Sequence, residues 1–186
     1  MEISDFLITL DRVHRQAQQQ GLYFQDSDSE KFVDRTIHID GKDLLSFSSC
    51  SYLGLELHPA LKQGVHDAVD RYGTQFSTSR GYVSAPLYSI LESLLGQIFD
   101  GHVLVTSSTS IGHQAALSAL LTEKDAFVMD HQVHYSVQMA SRIAQANGTK
   151  IAIVRHNHLE RAIDTITDLA RRCRTVWFAV DGVFSM

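Results

Sequence analysis

Residues 102–180 read HVLVTSSTSIGHQAALSALLTEKDAFVMDHQVHYSVQMASRIAQANGTKIAIVRHNHLERAIDTITDLARRCRTVWFAV. Four short runs rich in apolar residues lie within this stretch: 102–107 (HVLVTS), 126–130 (AFVMD), 150–155 (KIAIVR) and 175–180 (TVWFAV). Between them, apolar residues recur at helical spacing in segments that start at Ser110, Tyr135 and Leu159. Short unbroken apolar runs fit strands covered on both faces, and strands that alternate with helices of about 10 to 15 residues fit right-handed βαβ units. The expectation is an α/β domain with a parallel-rich sheet and helices on both faces.

Working toward the N-terminus, Pro86 opens a helix with Leu87, Ile90, Leu91, Leu94, Leu95 and Ile98 on its apolar face, and Pro59 opens another with Leu61, Val65, Ala68, Val69 and Tyr72. Proline suits the first helical position because its missing N–H is unsatisfied there in any residue. The loop between them, GTQFSTSRGYVSA, is poor in helix signals. Further upstream, Thr36 to Ile39 and Leu44 to Ser48 read as two short strands joined through Asp40-Gly41-Lys42, and the first 20 residues carry Ile3, Phe6, Leu7, Leu10 and Val13 at helical spacing. The organisation expected is 1–58 as an N-terminal helix with short strands, and 59–186 as the first, incomplete part of a large domain.

Composition narrows the function classes. The chain has 186 residues, 44% hydrophobic and 20% charged, with a net charge of -5. Its basic residues are scattered, so no positive stripe is available for a nucleic-acid backbone. No run approaches the ~20 apolar residues of a membrane span. The charges among the N-terminal apolar residues also interrupt any signal-peptide core. The two cysteines, Cys50 and Cys173, match no C-x-x-C or zinc spacing, which fits free thiols in a reducing cytoplasm.

In an open parallel sheet, ligands bind beyond the carboxyl ends of the strands, where helix N-termini present free N–H groups. Three segments meet that condition. Ser107-Ser108-Thr109-Ser110 precedes a helix and can either cap it or offer backbone N–H groups and hydroxyls to a phosphate. There is no Walker lysine, no G-x-G-x-x-G and no G-x-S-x-G elbow. Asp130-His131-Gln132-Val133-His134-Tyr135-Ser136 follows the second run. Its His-x-x-His pair lacks the glutamate of H-E-x-x-H, so stacking of one histidine on a flat ligand is the better functional reading, with a capping histidine as the alternative. Ser185 stands in the third segment, where it reads equally as a turn residue.

Several motifs, in order and in approximate spacing, resemble the α-oxoamine synthases. They are SYLGL at 51–55 followed by His58-Pro59, Ser79-Arg80 with Pro86-Leu87 and Leu91-Glu92 downstream, D-x-x-x-H-x-S at 130–136, His156-Asn157, and GVFSM at 182–186. The resemblance runs from about residue 42 onward. It implies the N-terminal part of the large domain of a pyridoxal-phosphate (PLP) dependent transferase of fold type I, the aspartate-aminotransferase-like class. The implied reaction condenses an amino acid with an acyl thioester, acyl-CoA or acyl carrier protein, in a cytoplasmic homodimer.

Carried over by position, the resemblance assigns Ser108, Thr109 and Ser110 to the cofactor's phosphate and His134 to its ring. Ser185 falls near the cofactor's phenolic oxygen, with Ser136 and Asp181 as further candidates, and no metal is implied. The Schiff-base lysine is expected beyond Met186, so this stretch alone is expected to be inactive. Thr109 stands where the family has glycine, His113 and Cys50 where it has asparagine, Tyr135 where it has a small residue, and Tyr88 where it often has histidine. These departures point to a divergent branch. Fold does not fix reaction, so an aminotransferase, aldolase or decarboxylase, or an inactive partner subunit of such an enzyme, are the alternatives.

The five lysines, Lys31, Lys42, Lys62, Lys124 and Lys150, lie in polar turns or at element ends and match no Schiff-base motif. Mixing the 186-residue chain with PLP, reducing with borohydride and mapping the adducts by mass spectrometry is expected to give diffuse, low labelling over several of them. Stoichiometric labelling of one of them would overturn the assignment.

Overall fold

The computed structural model describes residues 3–22, 25–76 and 78–184. Ser185 therefore lies outside the described residues. The chain forms two compact units, Met1–Thr78 and Ser79–Met186.

The second unit is organised by Ala126–Asp130 (β3), whose five residues are all buried. Lys150–Val154 (β4) and Val176–Ala179 (β5) flank it in parallel, giving the strand order β4-β3-β5. The register pairs Val128 with Ala152 on one side and with Phe178 on the other. Successive strand residues point to opposite faces, and β3 uses both. Phe127 and Met129 join Leu121, Val133 and Ala144, with Leu117 and Val137 packed around them. Val128 joins Val154 and Ala162 on the other face, with Ile166 and Leu169 against them.

The helices that cover the two faces follow from the strand order. Tyr135–Ala146 (α5) carries the chain from β3 outward to β4, and Leu159–Ala170 (α6) carries it from β4 back past β3 to β5. Right-handed crossovers running in opposite directions lie on opposite faces of a sheet. Accordingly α5 and Thr109–Leu120 (α4) contribute to the Phe127 face, and α6 covers the Val128 face. The expected sheet with helices on both faces is present. Burial of a side chain such as Val128 contributes about 1.5 to 3 kcal/mol.

One expected strand is missing. Residues 102–106 form no ladder among the described residues, although their composition is strand-like. The backbone of Val105 is occupied by side chains instead. Its N–H donates to Glu92 Oε1 at 2.8 Å, and its carbonyl accepts from Arg80 Nη1 at 2.8 Å. Arg80 Nη2 closes the arrangement on Glu92 at 3.0 Å. Glu92 lies on Pro86–Phe99 (α3), the helix that Pro86 was expected to open.

The first unit holds Ile3–Gln19 (α1), the antiparallel pair Thr36–Ile39 (β1) and Lys42–Leu45 (β2), and Pro59–Tyr72 (α2). The hairpin turn is tighter than the sequence reading placed it. Asp40 and Gly41 both have positive φ, 49° and 72°, as a two-residue type I′ turn requires. Ile39 therefore pairs directly with Lys42, and the second strand starts two residues earlier than expected.

At the amino end of the sheet in the second unit, Asp125 is fully buried. Arg174 donates to it from Nε at 2.9 Å and from Nη2 at 2.7 Å, and the Thr122 N–H and hydroxyl donate to Oδ2. The Arg174 hydrogen bonds hold the Asp125 carboxyl below the usual carboxylate range against the opposing effect of burial, and Thr122 adds to the lowering. A folded-state pKa below the unfolded value, about 3.9, stabilises the fold above that pH, and the stabilisation is lost as pH falls through the lowered value. Arg174→Ala is expected to lower Tm clearly at pH 7 and much less near pH 3. An equal loss in thermal melts at both pH values would contradict the linkage.

Candidate active site

The carboxyl edge of the sheet carries Asp130 and His131 at the end of β3 and Asp181 just past β5. Immediately after β3, the chain turns through His131-Gln132-Val133 into α5, whose N-cap is His134. Asp181, just past β5, accepts the His134 backbone N–H at 2.9 Å. The end of one strand thus holds the residue that follows its neighbour.

The His134 side chain is fixed by Ser136. Its Nδ1 lies 2.7 Å from Ser136 Oγ and accepts the Ser136 backbone N–H at 3.2 Å. Ser136 is buried, whereas His134 is exposed, so the ring is anchored at one nitrogen and open elsewhere. The same hydroxyl meets His113 Nδ1 at 2.9 Å. His113 belongs to α4 and joins the start of that helix to the start of α5.

The start of α4 is built by its own hydroxyls. Ser108 is the N-cap, its Oγ accepting from the Ile111 N–H, and its carbonyl accepts from Gly112 N and from the Thr106 hydroxyl. Gly112 has a steric reason to lack a side chain, since a Cβ there would meet Thr106 Oγ1 at 3.0 Å. Capping takes the Ile111 N–H and leaves those of Thr109 and Ser110, the first two of α4, without acceptors inside the helix. His113 lies four residues beyond Thr109, about one helical turn, or 5 Å, along the axis. The chain His113, Ser136, His134 and Asp181 therefore connects α4, the start of α5 and the end of β5.

A second cluster adjoins it. Asp130 is buried, accepts the Gln132 N–H at 2.8 Å and lies 3.0 Å from His156 Nδ1. His131 Nδ1 accepts the His156 backbone N–H at 2.9 Å, and the His156 ring packs edge-on against Phe184 at 4.5 Å. His131 and His134 each engage Nδ1 in a different cluster. Among the described residues no group of three or more His, Cys, Asp or Glu is arranged to hold a metal ion. A cleft of about 310 Å³ opens beside His156, lined also by Asp130, Asn157, Leu159, Phe178 and Phe184.

Sequence reasoning missed Thr106, Gly112 and the bridging role of His113. It did register His113 as an unusual residue for its position, and that was the available signal. Lys150 begins β4 and Lys124 precedes β3, so both belong to the amino end of the sheet. Five strand residues, about 16 Å, separate that end from the carboxyl edge.

No family model matches the chain. The structure shares its fold with a serine palmitoyltransferase variant from S. paucimobilis, solved with a bound PLP-myriocin aldimine, at a TM-score of 0.85 and 18% identity, covering all of this chain and 47% of that one. The Sphingomonas wittichii serine palmitoyltransferase gives the same figures. At that identity the likeness is one of fold, a parallel-rich sheet with helices on both faces in the fold-type I architecture.

In sequence, the chain is 30% identical over 149 residues to a putative 8-amino-7-oxononanoate synthase of Acidiphilium cryptum, covering 79% of this chain and 38% of that protein. It is also 30% identical over 168 residues to a serine palmitoyltransferase of Bacteriovorax stolpii, covering 89% and 39%. The chain spans about two fifths of the length of the curated relatives it matches.

The Arg80–Glu92 clamp explains why the Ser79-Arg80 and Leu91-Glu92 motifs occur together: they hold the segment that leads into Ser108. Glu92→Ala is expected to speed hydrogen exchange of the Val105 amide by about tenfold or more, as its charged acceptor is lost, while the amides of β3 stay protected. Unchanged Val105 exchange would show that the clamp does not hold the segment.

Proposed function

We propose that the protein is a PLP-dependent acyltransferase that condenses an amino acid with an acyl thioester, acyl-CoA or an acyl carrier protein, to an α-amino ketone. The observation that carries this reading is the hydrogen-bonded chain of His113, Ser136, His134 and Asp181, which ties α4, the helix that Ser108 caps, to an exposed, anchored imidazole at the start of α5. The N–H groups and hydroxyls of Ser108, Thr109 and Ser110 suit a phosphate, because a helix N-terminus combines free donors with a favourable dipole. The His134 ring offers a flat face to a pyridine, with Ser136 anchoring the ring and Asp181 the backbone behind it. Ser185 is kept as a candidate by its position in the motif alone. PLP bound in this site would supply an electron sink for charge developing at the amino acid's α-carbon.

The residues of this chain supply position and electrostatics. Ser108 shapes the phosphate turn, His134 orients and covers the ring, and Asp181 locks the His134 backbone. The departures at Thr109, His113, Cys50, Tyr88 and Tyr135 support a substrate pair distinct from that of the named relatives. A cytoplasmic homodimer is part of this proposal. No described helix is long and apolar enough to cross a membrane.

Incubating the whole protein with PLP, candidate amino acids and acyl thioesters is expected to release free thiol only when both substrates are present. Turnover with a 2-oxo acid and no thioester would favour an aminotransferase and overturn the reading. His134→Ala is expected to weaken PLP binding by up to about tenfold, since aromatic stacking contributes about 0.5 to 1.5 kcal/mol beyond area burial. His131→Ala is expected to leave PLP affinity nearly unchanged.

A further inference from the structure

We infer that His113 is a positioning residue that fixes the proton arrangement of His134 through Ser136, an inference whose functional meaning rests on the reading of His134 as the residue that faces the cofactor. Two imidazole nitrogens, His113 Nδ1 at 2.9 Å and His134 Nδ1 at 2.7 Å, converge on one hydroxyl, Ser136 Oγ. A serine hydroxyl has one proton and two lone pairs. It can donate to one of these nitrogens only, so the other must carry a proton and donate to the oxygen.

The backbone decides the direction. The Ser136 N–H donates to His134 Nδ1 at 3.2 Å, and an N–H is a donor in every protonation state of the side chains. His134 Nδ1 is therefore an acceptor and holds a lone pair. The Ser136 hydroxyl adds its own proton to that lone pair, which leaves Oγ to accept from His113 Nδ1–H. One arrangement satisfies all three contacts: His113 Nδ1–H donates to Ser136 Oγ, and Ser136 Oγ–H donates to His134 Nδ1. Neutral His134 then carries its proton on Nε2, the nitrogen left free by the anchor.

Burial makes this arrangement consequential. Ser136 is buried and His113 is partly buried, so water competes poorly for the hydroxyl. Without a donor at position 113, the Ser136 hydroxyl can turn away from His134 and the ring loses one of its two anchors. What residue 113 must supply is a hydrogen-bond donor, whose identity as an imidazole is secondary. Asparagine places an amide N–H₂ close to where Nδ1 stands, and aspartate places an acceptor of nearly the same shape there.

The test uses histidine labelled with ¹³C and ¹⁵N in the intact protein without PLP, with tautomers read from long-range ring correlations. His113 is expected in the Nδ1–H form and His134 in the Nε2–H form. His113→Asn should preserve the hydrogen-bonded His134 Nδ1 signal, whereas His113→Asp and Ser136→Ala should both shift it toward that of a solvated nitrogen. PLP affinity measured in parallel should fall about three- to tenfold in His113→Asp and Ser136→Ala and recover in His113→Asn. Finding His113 in the Nε2–H form, or identical His134 signals in the Asn and Asp variants, would overturn the inference. The expected tautomers together with PLP affinity insensitive to His134→Ala would uphold the proton arrangement and instead refute the cofactor reading.

Discussion

A strand with no exposed residue governs the second unit. β3 is buried on both faces, and its neighbours run parallel to it and return through helices on either side, the arrangement that covers both faces of a parallel sheet. A one-residue slip in register would exchange Phe127 and Met129 with Val128 between two differently shaped cores. The packing thus fixes where β3 ends, and the position of its end sets where Asp130, His131 and His134 stand. Polar residues at the carboxyl edge owe their placement to apolar residues below them.

The two ends of this sheet handle charge in contrasting ways. At the amino end, Asp125 is sealed by Arg174 and Thr122, an arrangement that uses every acceptor for structure. At the carboxyl edge, His134 is exposed, and the first N–H groups of α4 have no acceptors inside the helix. Saturated polar groups stabilise a fold, and unsaturated ones are available to a ligand. That contrast separates the scaffold from the site without reference to any relative.

Much of this was legible from residue order. The runs at 126–130, 150–155 and 175–180 became strands because their apolar residues serve both faces of a covered sheet. Pro59 and Pro86 opened helices as their fixed φ favours. The run at 102–107 misled because its partners are the Arg80 and Glu92 side chains, 25 and 13 residues away from Val105. Strand propensity records what a residue can do, and says nothing of a side chain that occupies its hydrogen-bonding groups first. The His113 contact was equally hidden, since it joins positions 23 residues apart on two helices. Composition carries no trace of such a pairing. The roles of Ser108 and His134 as caps were legible in part, because small hydroxyl residues and a histidine at strand-to-helix corners allow few local conformations.

The hydrogen bond from the His134 amide to Asp181 spans 47 residues of chain. On a ribosome, β3 and α5 emerge well before β5, so a nascent chain holds its histidine turn without the carboxylate that secures it. Domains form largely in the order of synthesis, and a contact of long sequence separation is completed late. The candidate pocket therefore gains its Asp181 contact only after residue 181 has left the exit tunnel.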